Sequence, residues 1–462
     1  MRKQLILVLS CVLLFTTSVG VSAAHVSGVF TGEFRVLTEE DKPVENTVAG
    51  VGVEIDIDGE VGDAGSWKLG LDAAFHQPLN KVRENIWDAG DTDAAEENLT
   101  LELDEAYLDL YSIGGRAVDV RLGKQYVDVG VGDGLTAFHL TRPIQANYLD
   151  EMQNTRAVTG VRIDAFPKDL HIQAFIQPRV TLNKTGENIT TVYRKIEQNT
   201  MGDLLAGFGG QFPGPGEVTI VPQAHPAIPP TYDDDGWGLT LKASKLVGSY
   251  DLGAVYQRGY GPDPILYMFG YDLQELEIDS EKGQAYLPLH LHQGHLPLQK
   301  IGLTAEGTLR DAGIWAELAY NIPKAGFFDK GLDSEIVPEA YRFTDDKYIT
   351  GLVGVDYFLK NGVYVNGQII RGFPQEIAKS MVKTYLVGNA YQDFLNSRLR
   401  VEGSAVYCFD DKGWMLLPEV VYQLKKDMQV FGKLGISGGD EESMFYHMKD
   451  LTQALIGISI SF

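Results

Sequence analysis

Short segments in which apolar and polar side chains alternate one for one recur along the whole chain, and this repetition restricts the fold more than any other feature. Eighteen of them lie near residues 26–37, 49–58, 66–76, 101–111, 116–126, 155–166, 170–179, 236–246, 249–259, 300–309, 312–322, 347–359, 362–372, 384–392, 395–407, 413–424, 427–436 and 453–462. A period of two places successive side chains on opposite faces of an extended strand, so each segment has one apolar and one polar face. In "WKLGLDAAF" the apolar set is Trp67, Leu69, Leu71, Ala73 and Phe75, opposed by Lys68, Asp72 and His76. In "GVRIDAF" Val161, Ile163 and Ala165 oppose Arg162 and Asp164. The exceptions, Lys124 and Lys245, fall at segment ends, where a long stem carries the ammonium to a polar layer.

The connections alternate as well. Short ones such as "SIGG", "PKD", "VGS", "RDA", "KNG", "DFLN" and "KKD" follow long ones such as 127–154, 180–235, 260–299 and 323–346, with "DDKG" a short exception on the long side. This is the rhythm of a transmembrane antiparallel β-barrel with short periplasmic turns, long extracellular loops and an even strand number. The expected fold is therefore all-β, a barrel of about 18 strands with 16 as the alternative count. Aromatic residues fall at the two ends of the apolar faces, Trp67, Tyr250 and Phe462 at one and Tyr126, Trp237 and Trp414 at the other, as in paired interfacial girdles. A secreted β-sandwich would alternate too, but it needs neither girdles nor loops gathered at one end.

Glycine, at 51 of 462 residues, and 10% aromatics suit strands and turns. Residues 1–24 have the form of an export signal: Arg2 and Lys3, an apolar run from Leu5 to Phe15, then "SVGVSAA" with cleavage near Ala23 or Ala24. Lipid attachment at Cys11 is a minor alternative. Residues 25–462 then form a single barrel with one cysteine, Cys408, and no internal disulfide. Losing Arg2 and Lys3 takes the net charge from −24 to −26, which argues against nucleic acid as a partner. No later apolar run is long enough for a helical anchor.

An 18-stranded barrel encloses an aqueous channel, so the inward faces become the candidate functional surface. By parity they carry Glu33, Arg35, Glu54, Asp56, Lys68, Asp72, Glu105, Asp109, Asp119, Arg121, Gln125, Arg162, Asp164, Lys242, Glu306, Glu317, Asp356, Arg398, Arg400 and Glu402. Acids outnumber bases, which predicts a mild cation preference. The 180–235 connection is long enough to fold into the mouth as a constriction, or to lie as a surface flap. Asp233, Asp234 and Asp235 at its end read as a solvated run. His290, His292 and His295 in "LHLHQGH" are the one candidate metal set, a minor reading because no cysteine or carboxylate stands at ligand spacing.

"VRLGKQYVDVG", followed by "LTRPIQANYL" and "TRAVTGVRI", resembles the outer-membrane porins of the alginate-export-like superfamily, through Arg121, Gly123, Lys124 and Gln125. Val129-Gly130 stands where those proteins often have Trp-Gly. The resemblance covers about 50 residues and implies an 18-stranded channel without naming a solute. The expected function is a passive outer-membrane porin for small hydrophilic solutes, without cofactor or catalysis, as a monomer or homotrimer in the lipid bilayer. A sheath around an electron-transfer cytochrome is the alternative, although the chain has no C-x-x-C-H for a haem of its own. An outer-membrane lipase or protease is a third reading, weakened because the isolated His139, His171 and His225 have no local partner signature. The ending "QALIGISISF" places Gly457, Ile460 and Phe462 as in a signal read by the barrel-assembly machinery.

Overall fold

The computed structural model describes residues 22–37, 47–78, 99–115, 117–185, 219–224, 228–231, 236–262, 265–271, 277–279, 284–324, 346–374, 376 and 378–462. Among them, eighteen antiparallel strands form one sheet that closes on itself. In chain order these are β1 (Ser22–Leu37), β2 (Thr47–Glu60), β3 (Gly65–Pro78), β4 (Leu99–Leu110), β5 (Val118–Gln125), β6 (Val158–Ala165), β7 (Leu170–Gln177), β8 (Gly238–Val247) and β9 (Tyr250–Tyr260). They continue as β10 (Pro297–Leu309), β11 (Ala312–Pro323), β12 (Tyr348–Phe358), β13 (Tyr364–Arg371), β14 (Thr384–Phe394), β15 (Leu399–Cys408), β16 (Trp414–Lys425), β17 (Met428–Gly438) and β18 (Gln453–Ser461). Each pairs with its neighbours in sequence, and β18 returns to β1 in a register running from Leu37↔Gln453 to Val29↔Ser461. Every one of the eighteen alternating segments is a barrel strand, and ring closure excludes the sandwich.

Eight tight connections (61–64, 111–117, 166–169, 248–249, 310–311, 359–363, 395–398 and 426–427) gather at one end of the barrel. The strand ends joined by the other nine connections lie at the opposite end, and "DDKG" falls in the shortest of these, 409–413. The tight turns place Ser112, Lys168, Arg310 and Asn396 at positive φ, where short turns between twisted strands require it. Segments Thr219–Ala224, Ile228–Thr231, Ile265–Tyr271, Glu277–Asp279 and Gln284–Gly294 build a separate five-stranded sheet from the connections before β8 and β10.

The outer wall is apolar and uncovered: Phe30, Val51, Leu101, Leu241, Leu303, Leu318, Val353, Ile369, Leu416 and Ile456 all stand exposed on it. A continuous apolar face of this kind is what a bilayer covers, and the fold is that of a transmembrane barrel. Strand β4 shows how the pattern survives an irregularity. "LTLELDEAYLDL" would send Glu105 and Asp109 outward if it alternated without interruption from Leu101 and Leu103. A bulge opposite Gly70, between the Leu71↔Leu103 and Leu69↔Ala106 pairs, adds one residue and turns both acids to the inside.

The last strand is paired on both sides, with β17 and with β1. Gly28 and Phe462 exchange two backbone hydrogen bonds of 3.0 Å, and the Phe462 ring remains 63% exposed on the outer face. Deleting Phe462 removes that bonded pair and the terminal aromatic together. The expected result is impaired insertion, measured as the fraction of heat-modifiable folded protein in the membrane, and normal insertion would count against an assembly role for Gly457, Ile460 and Phe462.

Candidate functional site in the barrel lumen

Inward charges are mostly paired with neighbours, most of them across adjacent strands. Lys68 Nζ lies 2.8 Å from Glu105 and 3.3 Å from Asp56, and Arg121 donates two hydrogen bonds, 2.7 and 2.8 Å, to Asp109. Arg162 Nε donates to Asp164 at 2.7 Å, Arg400 to Asp393 at 2.8 Å, Asn389 Nδ2 to Glu402 at 2.8 Å, and the Ser112 amide to Asp119 at 2.8 Å. Arg398, Arg400 and Glu402 line one recess of about 340 Å³ near the tight turns, and Asp109, Asp119, Arg121, Arg162 and Asp164 another of about 310 Å³. Lys242 sits opposite Gln173 and Val255. The acids left over cluster elsewhere: Asp72 lies across from Glu54 and Glu102, and Glu306 across from Asp251 and Trp315.

The lumen is not an empty tube. The connection between β5 and β6, residues 126–157, folds inside the barrel and reaches walls on both sides. Its first contact is with Glu317 of β11. One carboxylate oxygen accepts from the amides of Val131 (2.5 Å) and Gly132 (2.8 Å), and the other from Thr136 Oγ1 (2.7 Å) and the Ala137 amide (2.7 Å). Glu317 is 4% exposed, so its charge is committed to the loop rather than to solutes. On β10, Lys300 Nζ donates to the Ala137 carbonyl at 2.8 Å and lies 3.3 Å from His139 Nδ1. On β13, Gln368 donates to the Asp133 carbonyl at 2.5 Å while accepting from Trp315 Nε1 at 3.1 Å, and Asn366 donates to the Asp133 carboxylate.

The far limb of the same segment is tied to the other side. Arg35 of β1 donates to Asp150 and to Gln453 of β18, each at 2.6 Å, and its guanidinium stacks 3.8 Å above the Tyr148 ring. Gln145 donates to Glu102 of β4 at 2.8 Å, and Lys184 reaches the same carboxylate. The gap between loop and wall is apolar. Leu135, Ala146 and Leu149 pack with Trp315, Leu352, Ile370, Tyr385, Val406, Cys408 and Met415 of β11–β16, and with Phe445, Met448 and Leu451 from the connection before β18. That connection carries a short helix, Met444–His447, whose Ser443 cap accepts from the Phe445 amide at 3.2 Å.

Buried carboxylates serve the loops in one recurring way. Glu151 accepts from the Asn147 and Tyr148 amides at 2.7 and 3.2 Å, and Glu376 from those of Phe373 and Lys383 at 2.9 and 3.0 Å. Burial still holds both carboxyls above their ordinary range. His139 moves the other way: burial, then the neighbouring Lys300, hold its imidazole well below the usual value.

The residues carrying the family resemblance have local structural work. Gly123 sits at φ 132, close against the backbone of Ala106 and Tyr107, where a Cβ would collide. Gln125 is fully buried and its amide faces the Gly123 and Gly160 carbonyls at 3.5 and 3.4 Å. Lys124 donates to the Leu103 carbonyl.

Length alone leaves 180–235 as either a constriction or a surface flap. Most of that stretch, with Asp233–Asp235, lies outside the described residues, and the segment found inside the barrel is 126–157. The signal that could have found it is "LTAFHLT", an apolar run with no alternation inside a connection. Among the histidine candidates, His295 is buried with Nδ1 2.8 Å from the Gly261 carbonyl, while the side chains of His290 and His292 are not among those described. Among the described residues, no group of three His, Cys, Asp or Glu could hold a metal ion.

No protein-family model matches the chain, including any for the alginate-export-like superfamily, and no curated protein matches its sequence. Distant likenesses exist among solved structures. A Rhodopseudomonas blastica porin triple mutant is similar at 12% identity and a TM-score of 0.40, over 95% of this chain and 100% of that one. A Salmonella typhi OmpF in complex with daunomycin is similar at 11% identity and a TM-score of 0.43, over 95% and 97%.

Proposed function

We propose that the protein is an outer-membrane channel through which small hydrophilic solutes diffuse passively, with its bore set by residues 126–157. The observation that carries this reading is the combination of a closed barrel, an apolar outer wall and a charged inner wall narrowed by one chain segment. The tight turns face the periplasm and the nine longer connections face the outside, as in barrels of this construction. Solutes pass beside the loop along β2–β4, where Glu54 is exposed to the lumen and Asp72 stands between two further acids. Because the basic side chains described above are mostly paired while Glu54 and Asp72 have no ion pair among the described residues, the route favours cations.

The cytochrome-sheath reading loses ground because the loop and its apolar packing occupy space that a folded guest would need. An assembly of three copies, with bilayer lipid around them, belongs to the channel reading. The test is a planar bilayer with reconstituted protein in a tenfold KCl gradient. Stepwise currents are expected, with a reversal potential displaced toward that of potassium. Displacement toward chloride would overturn the selectivity, and a folded protein without currents would overturn the channel.

A further inference from the structure

Lys300 and His139 meet behind the inward loop at a place the channel reading does not use. Lys300 is 1% exposed, and His139 is buried with it. We propose that this pair is an acid-sensitive latch, which holds residues 126–157 across the lumen at neutral pH and releases them in mild acid. The latch itself is independent of the channel reading; only its consequence for conductance rests on it.

The proton count rests on Lys300 as an ammonium, the donor to the Ala137 carbonyl; with its Nζ at 3.3 Å, His139 Nδ1 then presents its lone pair. Lys300 spends another hydrogen on the Ala137 carbonyl, two residues before His139. A further proton on the imidazole would put two cations side by side in a site closed to water. Among the described residues, no nearby acid is free to absorb that charge. From β11 comes Glu317, already accepting four hydrogen bonds from the loop. From the loop come Arg142 and Asp128, which face each other at 3.3 Å, the acid toward solvent. The 3-10 turn His139–Thr141 packs on β9, whose Val255, Gln257 and Gly259 bring no charge. A backbone contact with Thr136 favours protonation but is outweighed.

The sign follows from linkage. In the seated loop the imidazole is held neutral, and in a released loop it returns to an ordinary value near ~6.5. The seated state therefore binds one proton fewer. Its advantage is complete above that value and is lost as the pH falls. Between pH 7.5 and 5.0 one such proton shifts the balance toward release by about 30-fold.

Hydrogen exchange followed by mass spectrometry on the full chain refolded in detergent reads this directly, with the strand peptides as the control for an intact barrel. Protection of peptides covering 127–141, corrected for the intrinsic pH dependence, is expected to fall about 30-fold from pH 7.5 to 5.0. In H139N the amide oxygen replaces Nδ1 as acceptor and has no proton to gain, so the profile is expected to be flat; H139Q supplies the same test if that variant folds poorly. A flat wild-type profile, or an equal fall in both variants, would overturn the latch. Release seen by exchange without any change in bilayer conductance would support the latch and overturn the reading that residues 126–157 set the bore.

Discussion

Glu317→Ala is expected to free residues 126–157 from the far wall while leaving the barrel folded. The carboxylate satisfies three backbone amides and one hydroxyl in a buried site, and removing it leaves those donors without an acceptor. Each orphaned buried donor costs ~1–3 kcal/mol, so the seated loop should lose ~3–5 kcal/mol after partial rehydration. Hydrogen exchange should show protection of 127–141 reduced by about 100-fold or more, with β-strand peptides unchanged. Glu317→Gln keeps one acceptor oxygen but turns an NH2 toward two existing donors, so its loss should be intermediate. Unchanged protection in the alanine variant would mean that the apolar packing of Leu135 and Leu149 holds the loop without the carboxylate.

Arg35→Met should have the second largest effect, and a different one, because Arg35 joins the loop to the barrel seam. Its guanidinium bridges Asp150 of the loop and Gln453 of β18, lies over Tyr148, and sits within 3.7 Å of both Glu33 and Glu151. Without it, three acids face one another with no cation between them, at a cost of ~3–5 kcal/mol for a broken buried pair. A lower urea midpoint for the whole barrel is expected, since β18 closes the ring against β1. Arg35→Lys should recover only part of that loss, because an ammonium cannot bridge two acceptors while lying flat on the ring. An unchanged midpoint for Arg35→Met would show that seam closure does not depend on this site.

The barrel was legible in the sequence because strand parity is a local property. "WKLGLDAAF" and "QALIGISISF" declare their faces without reference to any partner, and a ring of such strands has to put the polar face inside. The bulge in β4 was hidden, because one extra residue inside "LTLELDEAYLDL" leaves no mark in the pattern, and that residue is what turns Glu105 and Asp109 to the inside. The site was less legible. Parity shows that Glu317 and Arg35 point into the lumen, but it cannot show that a segment some 180 residues from Glu317 is waiting there to receive its charge. Loops carry no period, and the longest was the natural candidate for a constriction on length alone. What distinguishes 126–157 is its content: apolar residues to pack on the inner wall, with polar ends to meet Glu317, Lys300 and Arg35.

Single-channel conductance of the wild type and Glu317→Ala, measured side by side in planar bilayers at pH 7.5, tests the central claim most directly. A loop-narrowed channel predicts discrete steps for the wild type and clearly larger steps for the variant. Silent membranes with folded wild-type protein, or identical steps from both, would contradict it.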